Sequence, residues 1–201
     1  MKIPTIETPR LYLRGFQKED ARFAAGIWND AEMGEYLPDE AMEELDEEYL
    51  HQLEQLGEDE ECCYLIAEDK QSGERIGTCS FLPKDGVYDL AYCVHKQFWG
   101  RGYATEMAKG MAEYARSSKA KAVTIWVTEG NNASVRVAQK LGCVQDGKSS
   151  YQKRGTIGIF CNFKEKFQKK IGRTRGRKGT DPLQDRLYEE KVCAGILTGD
   201  E

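Results

Sequence analysis

Histidine is scarce in this chain, with two in 201 residues, and no cysteines are spaced C-x-x-C, so the ligand clusters of a zinc site are missing. No apolar run reaches the length of a membrane span, and none opens the chain as a secretory leader would. The chain is therefore expected to be cytoplasmic, without a metal and without a membrane partner. The segment Gln97–Glu106 carries Gly100 and Gly102, but lacks the third glycine of a dinucleotide fingerprint and the Lys-Ser/Thr pair of a P-loop. Neither NAD nor ATP is favoured. The seven cysteines are an odd number; Cys62, Cys79, Cys93, Cys143 and Cys161 stand in apolar segments and read as buried, reduced thiols.

What the chain does contain is a soluble globular composition, 40% hydrophobic and 31% charged, long enough for one domain with a real core. Its net charge of -5 hides an asymmetry. Between Asp30 and Glu61 there are many acids and no Lys or Arg, whereas Lys164–Lys178 is basic with only Glu165 opposing it. The acidic stretch reads either as a solvated helix face or as a wall attracting a cationic ligand. After Ile171 the Gly-rich basic run GRTRGRKGTDP suggests a linker, so we expect a domain over 1–171 and a flexible tail over 172–201. Leu183, Leu187, Tyr188 and Val192 allow one short amphipathic helix there. Arg173, Arg175, Arg177 and Lys178 match phosphates of a nucleic acid or ribosome, but without interleaved aromatics a solvated or self-paired tail is the preferred reading.

Periodicity supplies the elements. Arg10–Arg14 reads as a strand, followed by a helix from Glu19 with Phe23, Ile27 and Trp28 on its apolar face. Met42, Leu45, Tyr49, Leu53 and Leu56 continue at helical spacing as a second helix. Cys62–Glu68 and Arg75–Leu82 form a hairpin around Lys70–Gly73, and Tyr88–Val94 adds a further strand. Ala122–Thr128 is another strand, Ala133–Leu141 a helix stopped by Gly142, and Tyr151–Lys153 with Thr156–Phe163 a closing hairpin. The outcome is a mixed sheet with helices on its faces, an α/β or α+β single domain.

Between the strand Tyr88–Val94 and the helical run Ala104, Met107, Ala108, Met111, Ala112 and Ala115 lies QFWGRGYATE. Glycines at a helix start let main-chain amides approach an anion, and the helix dipole favours negative charge there. A pyrophosphate and a plain strand-to-helix turn are both compatible with the segment alone.

Three segments, TPRLYLRGFQKEDA (Thr8–Ala21), YCVHKQFWGRGYATEM (Tyr92–Met107) and NNASVRVAQKLGC (Asn131–Cys143), together resemble the GNAT superfamily of acyl-CoA-dependent N-acetyltransferases, in the branch of ribosomal-protein N-terminal acetyltransferases. The resemblance implies a mostly antiparallel sheet with two splayed parallel strands, here Tyr88–Val94 and Ala122–Thr128, between which the pantetheine arm of acetyl-CoA lies. It implies main-chain contacts to pantetheine from Tyr92, Cys93 and Val94 and a pyrophosphate cradle from Gly100, Arg101, Gly102, Tyr103, Ala104 and Thr105. Trp99 stands where the general motif has Gln or Arg, a mark of the ribosomal-protein branch.

Transfer to an amine needs a base, a polarised carbonyl and an acid for the leaving thiolate. Asp89, on the strand lining the cleft, is the first candidate base, and Glu129 the second. A main-chain N–H near Val94 suits the oxyanion. The tyrosine that many members place on the later helix is Ala138 here, leaving Ser134 as the nearest hydroxyl for the thiolate; helix capping is its structural alternative. Asn131 is expected either to bind the cofactor arm or to cap the helix. Trp28, Tyr36 and Tyr92 are candidate acceptor-site residues. The expected function is acetyl transfer from acetyl-CoA to a primary amine, a protein N-terminus or a small cationic amine, by a monomer or homodimer. A non-catalytic acyl-CoA sensor or interaction module is the alternative.

Overall fold

The structure, a computed structural model, describes residues 1–37, 42, 45–149 and 156–162. Its centre is an eight-stranded sheet in the order β1-β2-β3-β4-β5-β6-β8-β7. The strands are β1 (Ile6–Glu7), β2 (Leu11–Gly15), β3 (Cys63–Asp69), β4 (Arg75–Lys84), β5 (Val87–Val94), β6 (Ala122–Thr128), β7 (Val144–Ser149) and β8 (Thr156–Asn162). Helices α1 (Ala21–Trp28), α2 (Glu47–Glu54), α3 (Tyr103–Ser117) and α4 (Asn132–Lys140) cover its faces. Neighbouring strands run antiparallel except β5 and β6, which are parallel. The long β5-to-β6 crossover places α3 on one face.

Strand alternation divides the core in two. On the α3 face Leu13, Leu65, Phe81, Leu90, Val123 and Ile125 pack against Met107 and Met111, all buried. On the other face Phe16 and Ile66 pack against Ala21, Ala24 and Ala25 of α1 and Leu50 and Leu53 of α2. The helices α1 and α2 have eight residues each, too few to persist alone. Burial of their apolar faces, at about 1.5–3 kcal/mol per large side chain, holds them in place. At the edge of this second core the Asp20 carboxylate is 1% exposed and binds Arg14 at 2.7 Å and Arg75 at 2.8 Å. It also accepts the Gln17 N–H at 2.8 Å, fixing the entry to α1.

Several boundaries differ from expectation. The second helix starts only after Asp46, whose side chain accepts the Tyr49 N–H as an N-cap; Met42 and Leu45 precede it outside the helix. β8 pairs with β7, Val144–Ser149; the expected strand Tyr151–Lys153 lies outside the described residues. The β7 sequence VQDGKS carries one aliphatic residue and so escapes a hydrophobic-period reading. A tight Asp85–Gly86 turn, both at positive φ (52° and 82°), joins β4 to β5, the Asp-Gly chemistry that a two-residue hairpin loop requires. The tail expected over 172–201 also lies outside the described residues.

Candidate active site

The parallel strands β5 and β6 pair only over Val87–Asp89, opposite Ala122–Thr124. Beyond that point β5 runs on to Val94 and β6 to Thr128 without pairing to each other, so the sheet opens into a V. The His95 N–H donates to Ile76 O, and main-chain direction alternates along a strand. Odd-numbered residues of β5 therefore face β4, and Leu90, Tyr92 and Val94 turn their N–H and C=O groups into the gap. The Cys93 main chain is directed at β4; a Cβ on Gly77 would lie 2.1 Å from the Cys93 carbonyl oxygen, which is why position 77 is glycine. The Val94 carbonyl accepts the Trp99 indole N–H at 2.6 Å.

The chain then turns into α3 through Gly100 (φ 75°) and Gly102 (φ 81°), a left-handed backbone that glycine adopts without strain. Glu106 N–H bonds to Gly102 O, the first bond of the helix. Among the described residues the main-chain N–H groups from Gly100 to Thr105 have no acceptor. No neighbouring atom lies within 4 Å of where a Gly100 Cβ would stand, so the cradle is open.

This loop is braced from the other end of the sequence. Glu106 accepts the Thr8 hydroxyl and the Arg10 N–H through one oxygen, and Arg10 Nε through the other, all at 2.7 Å. Arg10 also donates to Arg101 O at 3.1 Å and lies over the Tyr103 ring at 4.2 Å. The bond from Arg10 occupies the Arg101 carbonyl. Tyr103 OH is tied to Asp69 at 3.2 Å, so Tyr103 offers the site its main chain. The Arg101 side chain is exposed.

On the α3–α4 face, Tyr92 OH and Ser134 Oγ are 2.8 Å apart, a hydrogen bond that links β5 to α4 across the gap. Burial pushes the Tyr92 phenol up to about 12, against the opposing bond to Ser134. Asn131 Oδ1 accepts the Ser134 N–H at 3.0 Å; Asn131 caps α4. Ala138 is fully buried in the core.

The opposite face carries Asp89, Ala91 and Cys93. Ala91 is exposed on this face. Burial raises the half-buried Asp89 carboxyl to about 6, with Lys84 opposing weakly. Cys93 is likewise pushed up to about 12 by burial. Trp28 donates its indole N–H to Thr78 Oγ1 at 3.1 Å on the β4 side. The connection after α1 crosses to the β6 side, where Tyr36 O accepts Thr128 Oγ1 at 2.9 Å. Its Asp30 binds Lys96 at 2.7 Å, and this hydrogen bond holds Asp30 down at about 2. Trp28, over β4, and Tyr36, by β6, thus stand on either side of the β5 face that carries Asp89, Ala91 and Cys93, whereas the Tyr92 side chain lies on the other face of the sheet. Glu129 is exposed beyond the end of β6. Sequence reading missed Thr8, Arg10 and Glu106 as a brace; the first two lie inside the TPRLYLR opening, but their partner is visible only in three dimensions.

Among the described residues no group of His, Cys, Asp and Glu is arranged to hold a metal ion, and no helix is long and apolar enough to cross a membrane. Comparison with known proteins gives a consistent family. The chain is 35% identical over 82 residues to YkkB of Bacillus subtilis (strain 168), covering 38% of this chain and 48% of that protein. It is 24% identical over 152 residues to the N-acetyltransferase p20 of Bacillus licheniformis, covering 71% and 84%. The fold is shared with a GNAT-family acetyltransferase of Bacillus anthracis, at TM-score 0.71, 17% identity and coverage of 81% and 100%. Spermidine N-acetyltransferase of Vibrio cholerae, solved with CoA and spermine, aligns at TM-score 0.64, 17% identity and coverage of 76% and 95%. RimL, a ribosomal L7/L12 α-N-protein acetyltransferase, aligns at TM-score 0.67, 17% identity and coverage of 80% and 94%. The family model of the acetyltransferase (GNAT) domain matches residues 10–144, and the chain belongs to that family.

Proposed function

We propose that this protein transfers the acetyl group of acetyl-CoA to a primary amine by direct attack within a ternary complex. The observation that carries the reading is the open strand edge of Tyr92 and Val94 leading directly into the acceptor-free amides of Gly100–Thr105. An extended chain bearing amides can pair with such an edge, and a pyrophosphate satisfies such amides. Arg101 adds a charge-assisted contact at that end. Acetyl-CoA supplies the thioester. The chain supplies Asp89 as base, a Val94 N–H for the carbonyl oxygen, and Ser134, held by Asn131 and Tyr92, as proton donor to the thiolate.

An acid with a midpoint near 6 is ionised in about nine of ten molecules at pH 7. Its raised affinity for a proton brings proton transfer from an ammonium closer to balance by about 3 kcal/mol. An α-amine, near 8, is then a far easier donor than an alkylamine, near 10.4. Asp30 and Glu32, which follow Trp28 at this site, both lie against Lys96 and so are matched within the protein. The reading therefore favours a protein or peptide N-terminus over a polyamine. Glu129, exposed, is the weaker candidate base. Purified protein given acetyl-CoA should release free CoA with N-terminal peptides and, more slowly, with spermidine. Binding of acetyl-CoA without turnover on any amine would instead favour a sensor, the reading that buried Ala138 keeps open.

A further inference from the structure

Two cysteines meet where α4 ends and the last hairpin begins. Val144 of β7 stands opposite Phe160 of β8, so one step back along the antiparallel pair Cys143 stands opposite Cys161. Opposed residues share a face, with Cα atoms about 4.5–5.5 Å apart. A disulfide spans Cα separations of about 4.4–6.8 Å. The side chains converge accordingly: the two thiols share a hydrogen bond, and Cys161 Sγ donates to Leu141 O at 3.5 Å, two residues before Cys143. Elsewhere on the sheet cysteines oppose other residue types. Cys63 faces Phe81, Cys79 faces Leu65 and Tyr92, and Cys93 faces Thr78.

The pair is chemically unequal. Cys143 is 7% exposed, whereas Cys161 is half-buried. The bond from Cys143 holds the Cys161 thiol below its ordinary value against the effect of burial, while the same bond, with burial, pushes Cys143 up. A thiolate, not a thiol, attacks a disulfide. Cys161 is therefore the nucleophile, with a resolving thiol beside it.

We propose that Cys143 and Cys161 form a dithiol redox site that a low-molecular-weight disulfide converts to an internal disulfide. The Cys161 thiolate attacks one sulfur of the small disulfide, whose S–S bond breaks to leave a mixed disulfide and one small thiolate. Cys143 then gives up its proton and attacks the Cys161 sulfur, and the second small thiolate leaves. The two protein thiols lose two electrons and two protons; the small disulfide takes them up as two thiols. The bridge staples the end of α4, where the Cys143 N–H closes onto Ala138 O at 3.1 Å, to β8, which pairs with β6 along its whole length. It thereby fastens the helix carrying Asn131 and Ser134 to the far arm of the V. Neither thiol has a part in the acyl transfer proposed above, so the two readings fail separately.

The test exposes full-length wild type, Cys143→Ser and Cys161→Ser to oxidised glutathione, followed by peptide mass mapping and thermal melting. In wild type a Cys143–Cys161 bridge should form ahead of reaction at any other cysteine, and Tm should rise by about 5 °C or more and revert with dithiothreitol. Cys143→Ser should stop at a mixed disulfide on Cys161, and Cys161→Ser should leave Cys143 unmodified, both without the rise in Tm. Folded wild type in which the pair stays reduced overturns the proposal, as does a bridge to any other cysteine or one that forms only in denaturant. A bridge that leaves Tm unchanged overturns the staple. The wild-type arm decides the matter even where a serine variant fails to fold.

Discussion

Replacing Asp89 by asparagine separates the cost of this carboxyl to the fold from its use in chemistry. An unfolded aspartate titrates near 3.9, whereas burial places Asp89 near 6 in the native protein. Between those values the native state binds more protons than the unfolded chain. Stability therefore falls as pH rises from about 4 to about 6 and stays lowered above that. The full shift corresponds to about 3 kcal/mol, which partial exposure reduces to about 2. Asp89→Asn keeps the shape and removes the charge. It should be about 2 kcal/mol more stable than wild type at pH 7.5, a rise in Tm of about 4–8 °C, and equal to it near pH 4. Turnover should drop by a factor of about 100 or more. Urea unfolding at both pH values, with CoA release measured on the same preparations, gives both numbers. A variant no more stable than wild type at pH 7.5, or one retaining turnover, would refute the reasoning.

Two further variants test the parts that hold the site. Glu106→Gln removes the charge that gathers Thr8 and Arg10, and with charge-assisted bonds worth about 1.5–3 kcal/mol CoA should bind about tenfold more weakly by calorimetry. Asp20→Ala leaves Arg14 and Arg75 without their shared buried partner; loss of about 3–5 kcal/mol is expected in denaturant unfolding.

The glycine loop, the hairpin around Lys70–Gly73 and the two parallel strands were legible because each is a local pattern: period-two alternation, turn residues, glycines at a helix start. The Val144–Ser149 strand was not, since its pairing with β8 owes little to hydrophobic alternation. The start of α2 was misplaced because Met42 and Leu45 fit the period, while the Asp46 cap decides where the helix begins. At the site, Asp89 could be singled out from its strand, but which of Tyr92, Cys93 and Val94 open onto the gap depends on the phase of the β4 ladder. The Arg10–Glu106 brace and the Asp89–Thr124 pairing join distant segments, and no local pattern carries them.

The brace ties Thr8 and Arg10 to a residue 98 and 96 positions later. During synthesis the first of these partners leaves the ribosome long before the second, and β6, the far arm of the V, follows later still. Contacts at such separation form only after much of the chain has been ordered. The cradle consequently has no half-built version that grips its ligand. Under the proposed acyl transfer, a CoA-like molecule would select the completed fold over everything less complete and add stability to that state alone, rising with the logarithm of its concentration once it exceeds Kd.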